Sequence, residues 1–122
     1  MFDHIGIRVK DLEASLRFYD AVLGPLGFKR NASAEDGAGY GPPGQPGLWL
    51  YSGGTAGTAT HVAFEASKRT QVDRFYEAGM DTGGRDNGRP GLRADYSPTY
   101  YAAFLIDPDG NNVEAVCVTE KD

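Results

Sequence analysis

The sequence holds two histidines, His4 and His61, and each opens a short stretch of alternating apolar residues. Ile5, Ile7 and Val9 follow the first; Val62, Phe64 and Ala66 follow the second. Such alternation predicts strands, in which side chains two apart share a face. Both imidazoles should therefore point away from the face that packs inward. A third residue fits the same description. In Asn112-Val113-Glu114-Ala115-Val116-Cys117, Glu114 shares a face with Asn112 and Val116, a setting where an unpaired charge would be costly. Two imidazoles and one carboxylate converging on a strand floor form a facial triad, which holds a divalent ion from one side and leaves the other open. Fe, Mn, Ni, Co or Zn suits these donors. The ion keeps about one positive charge, matched to a bidentate oxyanion such as an enediolate, catecholate or phosphonate. A lone strand histidine is ordinarily structural or solvent-facing, whereas two in register with a glutamate favour ligation.

What must position these residues is a repeat. Arg17-Phe18-Tyr19 recurs as Arg74-Phe75-Tyr76, and His4 recurs as His61, both at an offset of 57 (17 to 74, 4 to 61). Between these anchors Ile5-Gly6-Ile7 meets Val62-Ala63-Phe64 and Gly27 meets Gly84 without a gap. In the first half Asp11 can cap a helix that carries Leu12, Leu16, Tyr19 and Leu23 inward before Gly24-Pro25 stops it. In the second, Ser67 is the cap, Val72, Phe75 and Tyr76 the buried stripe, and Gly79 the end. Strand and turn material follows each helix, at 27–32, 39–41 and 48–52, then at 100–106 and 111–118. Asp107-Pro108-Asp109-Gly110 reads as a hairpin turn between the last two. The plan is α+β, a βαβββ module repeated in tandem in one domain, residues 1–122, with module 1 at about 1–56 and module 2 at about 57–122. The proline-rich residues 41–47 cannot be helix or central strand. Residues 83–98 read as a long glycine- and arginine-rich loop of the kind that covers a site.

Composition narrows the function. A net charge of −5 without a basic tract argues against nucleic acid, and no apolar run approaches the roughly 20 residues of a membrane span. The first residues show no secretion signal, so a cytoplasmic location is expected. Cys117, the sole cysteine, excludes an internal disulfide and reads as a core thiol.

Asp3-His4-Ile5-Gly6-Ile7, Thr60-His61-Val62-Ala63-Phe64 and the closing run from Asp107 to Glu114 resemble the vicinal oxygen chelate superfamily, which includes glyoxalase, bleomycin-resistance and extradiol dioxygenase proteins. The resemblance covers nearly the whole chain. It implies paired βαβββ modules curled into an open, partly closed mixed β-sheet barrel with flanking helices, and a homodimer, in which one metal site is sometimes shared between subunits. Carried over residue by residue, the metal ligands would be His4, His61 and Glu114.

The implied activity is that of a metal-dependent enzyme acting on a small oxygen-rich or anionic substrate, of lyase or isomerase, dioxygenase or thiol-transferase type. Glyoxalase I adds a glutamate from the last strand of the first module; here that strand is Leu48-Trp49-Leu50-Tyr51-Ser52, and aligning Gly47 with Gly110 puts Tyr51 opposite Glu114. Extradiol dioxygenases add an acid-base histidine, and this chain has no third histidine. Tyr100 or Tyr101 would then be the catalytic proton donor. Fosfomycin-resistance thiol transferases share the triad, but their substrate-binding lysine has no match, leaving Arg85, Arg89 or Arg93 to meet an anion. Trp49, Tyr51, Arg93 and Phe104 are the candidate substrate-binding residues. The alternative is a metal-free binder of a drug or metabolite in a groove lined by Trp49, Tyr51, Tyr100, Tyr101 and Phe104.

Overall fold

The computed structural model describes residues 4–53 and 60–120. Its elements run β1 (Ile5–Val9), α1 (Leu12–Leu23), β2 (Lys29–Ala34), β3 (Gly37–Gly41), β4 (Leu48–Ser52), β5 (His61–Glu65), α2 (Arg69–Met80), β6 (Arg85–Leu92), β7 (Tyr101–Ile106) and β8 (Asn112–Cys117). The two helices begin and end 57 residues apart (12 to 69, 23 to 80), so the sequence repeat is a repeat of structure.

Both helices form where caps and apolar spacing coincide. The Asp11 carboxylate accepts the Ala14 amide at 3.1 Å, as expected of an N-cap. A short 3-10 turn, Gly24–Leu26, then carries α1 over Pro25 to Gly27, whose φ of 90° turns the chain into β2. The start of α2 differs from expectation: Lys68, not Ser67, is the cap residue. The Gln71 side-chain carbonyl supplies the acceptor, taking the Ser67 and Lys68 amides at 2.9 and 3.0 Å. Gly79 does not end the helix either. It is needed where α1 and α2 touch, since a Cβ there would lie 2.2 Å from Leu105 Cδ1 and 3.1 Å from Val22 Cγ1.

The strands form two four-stranded mixed sheets of identical order, β1-β4-β3-β2 and β5-β8-β7-β6. In each the first strand pairs parallel with the last and the rest pair antiparallel. Among the described residues no strand pairs across the sheets, so the arrangement is open. Ile7, Val9, Leu48 and Leu50 of the first sheet and Ala103, Leu105, Val113, Ala115 and Cys117 of the second meet Phe18, Tyr19, Val22, Val72 and Phe75 of the helices in one core. Burying such side chains contributes roughly 1.5–3 kcal/mol each before conformational entropy is charged against it. A polar joint adds to this. The β7–β8 turn docks on α1, with Tyr19 Oη donating to Asp107 at 2.6 Å and the Lys10 amide donating to Asp109 at 2.8 Å. Asp107, only 2% exposed, also accepts the Asp109 and Asn111 amides, which shape the turn itself.

One segment departs from the sequence reading. Residues 85–92, Arg-Asp-Asn-Gly-Arg-Pro-Gly-Leu, are β6 rather than part of a loop. They lie at the edge of their sheet with register shifts at Asp86/Gly88 and Gly88/Gly91. A bulged edge strand tolerates the glycine and proline that would disqualify a central one.

Candidate functional site

Strand pairing decides which candidates meet. β8 sits between β5 and β7, and its register puts Glu114 level with Ala63 on one side and Phe104 on the other. Val113, Ala115 and Cys117 enter the core, so Glu114 is turned to the opposite face. His61 projects from the same face of β5, and its Nε2 lies 2.9 Å from Glu114 Oε1. The second carboxylate oxygen accepts the hydroxyl of Tyr100. Glu114 is 2% exposed and His61 is open to solvent, so the pair presents a shielded carboxylate behind an accessible imidazole.

Neighbouring groups fix this arrangement. The Phe104 ring stacks beside the His61 imidazole, centroids 6.3 Å apart, and the Arg93 guanidinium sits over the Phe104 ring, 5.4 Å from its centroid. Arg93 is held there by the Gly91 and Arg89 carbonyls at 2.9 and 2.7 Å. Tyr96 meets Tyr100 edge to face at 4.9 Å. Burial, and after it the hydrogen bond and charge of Glu114, push the Tyr100 phenol up to about 12, so it carries its proton at neutral pH.

Other candidates lie elsewhere. Tyr101, next to Tyr100, faces the helices because strand neighbours alternate; its hydroxyl donates to Asp73 of α2 at 2.6 Å. Trp49 and Tyr51 stack on the corresponding face of the first sheet, centroids 6.1 Å apart, and Arg8 covers Tyr51 at 5.1 Å. His4 immediately precedes β1 in that sheet and is exposed. Among the described residues no three histidine, cysteine or acidic side chains form a group able to hold a metal. The chain thus joins His61, Glu114 and Tyr100 and does not bring His4 to them.

The register also corrects the alignment of the modules. Gly6 pairs with Trp49 and Ala63 with Glu114. Since Gly6 and Ala63 are equivalent in the repeat, Trp49 rather than Tyr51 stands where Glu114 does. Neither side chain is a carboxylate. Two residues near these faces escaped the sequence reading. Arg8 could have been found from alternation along β1, which sets it on the His4 face; Tyr96 carries no comparable local signal.

The family model of the glyoxalase/bleomycin resistance protein/dioxygenase superfamily matches residues 1–115. The chain belongs to this superfamily. Among solved structures, a glyoxalase/bleomycin resistance protein from Albidiferax ferrireducens T118 is 34% identical, with a TM-score of 0.85 over 96% of this chain and 98% of that one. A Bacillus halodurans structure, named as a candidate glyoxalase, is 29% identical with a TM-score of 0.72, covering 96% and 95% of the two chains. A glyoxalase/bleomycin resistance protein/dioxygenase family enzyme from Burkholderia phytofirmans PsJN shares the fold at 18% identity, with a TM-score of 0.73 over 95% and 97%. No curated protein matches the sequence. Within the superfamily, the twin βαβββ modules and the open pair of mixed sheets are the expected architecture. No helix among the described residues is long and apolar enough to cross a membrane.

Proposed function

We propose that the protein is a metal-dependent enzyme of the superfamily, acting on a small oxygen-rich or anionic substrate held at His61 and Glu114. One observation carries this reading: His61 Nε2 and Glu114 Oε1 lie 2.9 Å apart on one sheet face, with the carboxylate otherwise buried. Metal–ligand bonds of about 2.1 Å at a right angle put their donors about 3 Å apart, so the pair fits two corners of one coordination sphere. Imidazole and carboxylate suit Fe, Mn, Ni, Co or Zn. The third corner would come from His4 of a second copy, and the chain, one domain of two modules divided near residue 57, would work as a homodimer.

A divalent ion there would supply positive charge against vicinal oxygens of the substrate as negative charge develops. Around it the chain's own groups do the rest. Phe104 flanks the His61 ring. Arg93, over the Phe104 ring, adds positive charge for an anionic substrate. The Tyr100 hydroxyl is a proton donor placed beside the carboxylate. Trp49, Tyr51 and Arg8, on the other sheet, would cover the bound substrate in the assembled dimer.

The decisive experiment is elemental analysis of tag-free protein dialysed against Mn, Fe, Ni, Co or Zn. About one ion per chain is expected for the parent, with near-complete loss in His4→Ala, His61→Ala and Glu114→Ala. Mixing His4→Ala with His61→Ala chains should rebuild one intact site in each mixed dimer and restore metal. A parent that takes up no metal at micromolar concentration would sink this reading in favour of a metal-free binder. In that case the Trp49–Tyr51 stack with Arg8 above it would be the ligand platform.

A further inference from the structure

The edge strands β2 and β6 are both bulged at an asparagine. The register slips between Arg30 and Ala32 in the first and between Asp86 and Gly88 in the second, so Asn31 and Asn87 each stand outside the paired positions. Both are exposed. Their neighbours differ in two respects that bear on the chemistry of a side-chain amide. Asn31 precedes Ala32, whereas Asn87 is the only one of the four asparagines followed by glycine. Gly88, with φ of 147°, has no Cβ to obstruct its own nitrogen from approaching the preceding side chain. Asn31 follows Arg30, whose guanidinium is engaged with Asp20. Asn87 follows Asp86, whose Oδ1 accepts the Gly88 amide at 2.9 Å. A carboxylate therefore already holds the proton that must leave before this nitrogen can act as a nucleophile.

We propose that Asn87–Gly88 is a self-modifying site, at which the folded chain deamidates its own asparagine with Asp86 as the general base. The Gly88 nitrogen gives its proton to Asp86 and bonds to Asn87 Cγ; the Cγ–Nδ2 bond breaks, and Nδ2 leaves as ammonia carrying that proton. One water then opens the resulting succinimide at either carbonyl, leaving aspartate or isoaspartate at position 87. No oxidant, reductant or cofactor is consumed. The change falls beside the His61–Glu114 face whatever binds there. Asn87 Nδ2 donates to Asn112 Oδ1 at 3.2 Å, and the β5–β8 register sets Asn112 level with His61. A neutral donor is exchanged for a negative charge at that rim. The isoaspartyl product also adds a carbon to the main chain next to Gly88, where a Cβ would already lie 3.0 Å from Phe104 Cδ1.

The parent and Asp86→Ala are incubated in neutral buffer for some weeks, folded and in urea, and the tryptic peptide spanning residues 86–93 is followed by mass spectrometry and chromatography. In the folded parent, aspartate and isoaspartate should accumulate at position 87 while Asn31 stays intact. Folded Asp86→Ala should convert about tenfold more slowly, and the two chains should converge in urea, where the contact between Asp86 and the Gly88 amide is lost. Equal rates in the two folded chains would overturn the proposal. So would a folded parent that converts more slowly than the same chain in urea, since the fold would then protect Asn87 rather than promote its loss.

Discussion

Glu114 is the residue on which the site turns, and its surroundings explain why a buried carboxylate is tolerated. One oxygen faces an imidazole and the other a phenol, so neither is left without a partner. Removing the phenol oxygen in Tyr100→Phe should cost about 1–2 kcal/mol by urea denaturation. Metal content should survive, because the donors themselves remain. Loss of metal together with stability would show instead that the hydroxyl is needed to place the carboxylate. At this scale the sequence was informative wherever strand parity governs: His61, Glu114 and the inward Cys117 are all placed by alternation. Tyr100 and Tyr101 were not separated because that requires the β7–β8 register, which pairs Phe104 rather than Tyr101 or Ala103 with Glu114.

Among the elements, α1 and α2 were legible because apolar spacing and the repeat agreed, with the Asp11 cap marking the start of α1, whereas β6 was hidden by its own composition. Glycine, proline and arginine in close succession signal a loop locally; only sheet pairing reveals that the same residues make a bulged edge. Gly88 shows what that edge requires. Its φ is 147°, and a Cβ would lie 3.0 Å from Phe104 Cδ1 and 3.1 Å from Arg93 Nη2. Gly88→Ala should therefore cost about 1–3 kcal/mol and disturb the ring that stacks on His61, weakening metal uptake. An alanine variant as stable as the parent and fully metal-loaded would show that β6 adjusts without strain. The repeat also explains where the halves diverge. Residues 93–100 join β6 to β7, while residues 35–36 suffice between β2 and β3. That added length supplies Tyr96 and Tyr100, so the second module gained groups around its glutamate that the first has no counterpart for.

The whole molecule is held by phenols as well as by its apolar core. Tyr19 ties α1 to the turn of the second module, Tyr40 ties β3 to α1, and Tyr101 ties β7 to α2. Burial is the main cause that raises all three, with the neighbouring carboxylate adding to it; Tyr101 is pushed up to about 12, and Tyr19 and Tyr40 rise as well. Each folded-state value lies above the unfolded one near 10, so the folded chain keeps protons that the unfolded chain has released. Their contribution is complete below about pH 10 and is lost as pH climbs through 12 and beyond. The urea midpoint should fall steeply across that window, and Tyr19→Phe should start lower at neutral pH but lose less above pH 10. A midpoint unchanged between pH 10 and 12 would contradict this.

The pairing of β1 with β4 and of β5 with β8 also sets a timetable for synthesis. In each module the first strand to leave the ribosome has its hydrogen-bonding partner in the last, so neither sheet can close until its module has emerged almost entire. The burden is uneven. The first module can close while the second is still being translated, but Tyr19 must wait for Asp107, and Phe18 for the chain at Gly84 that it covers. A nascent chain therefore displays an aromatic helix face for most of its translation, and that is the surface on which a chaperone would find it.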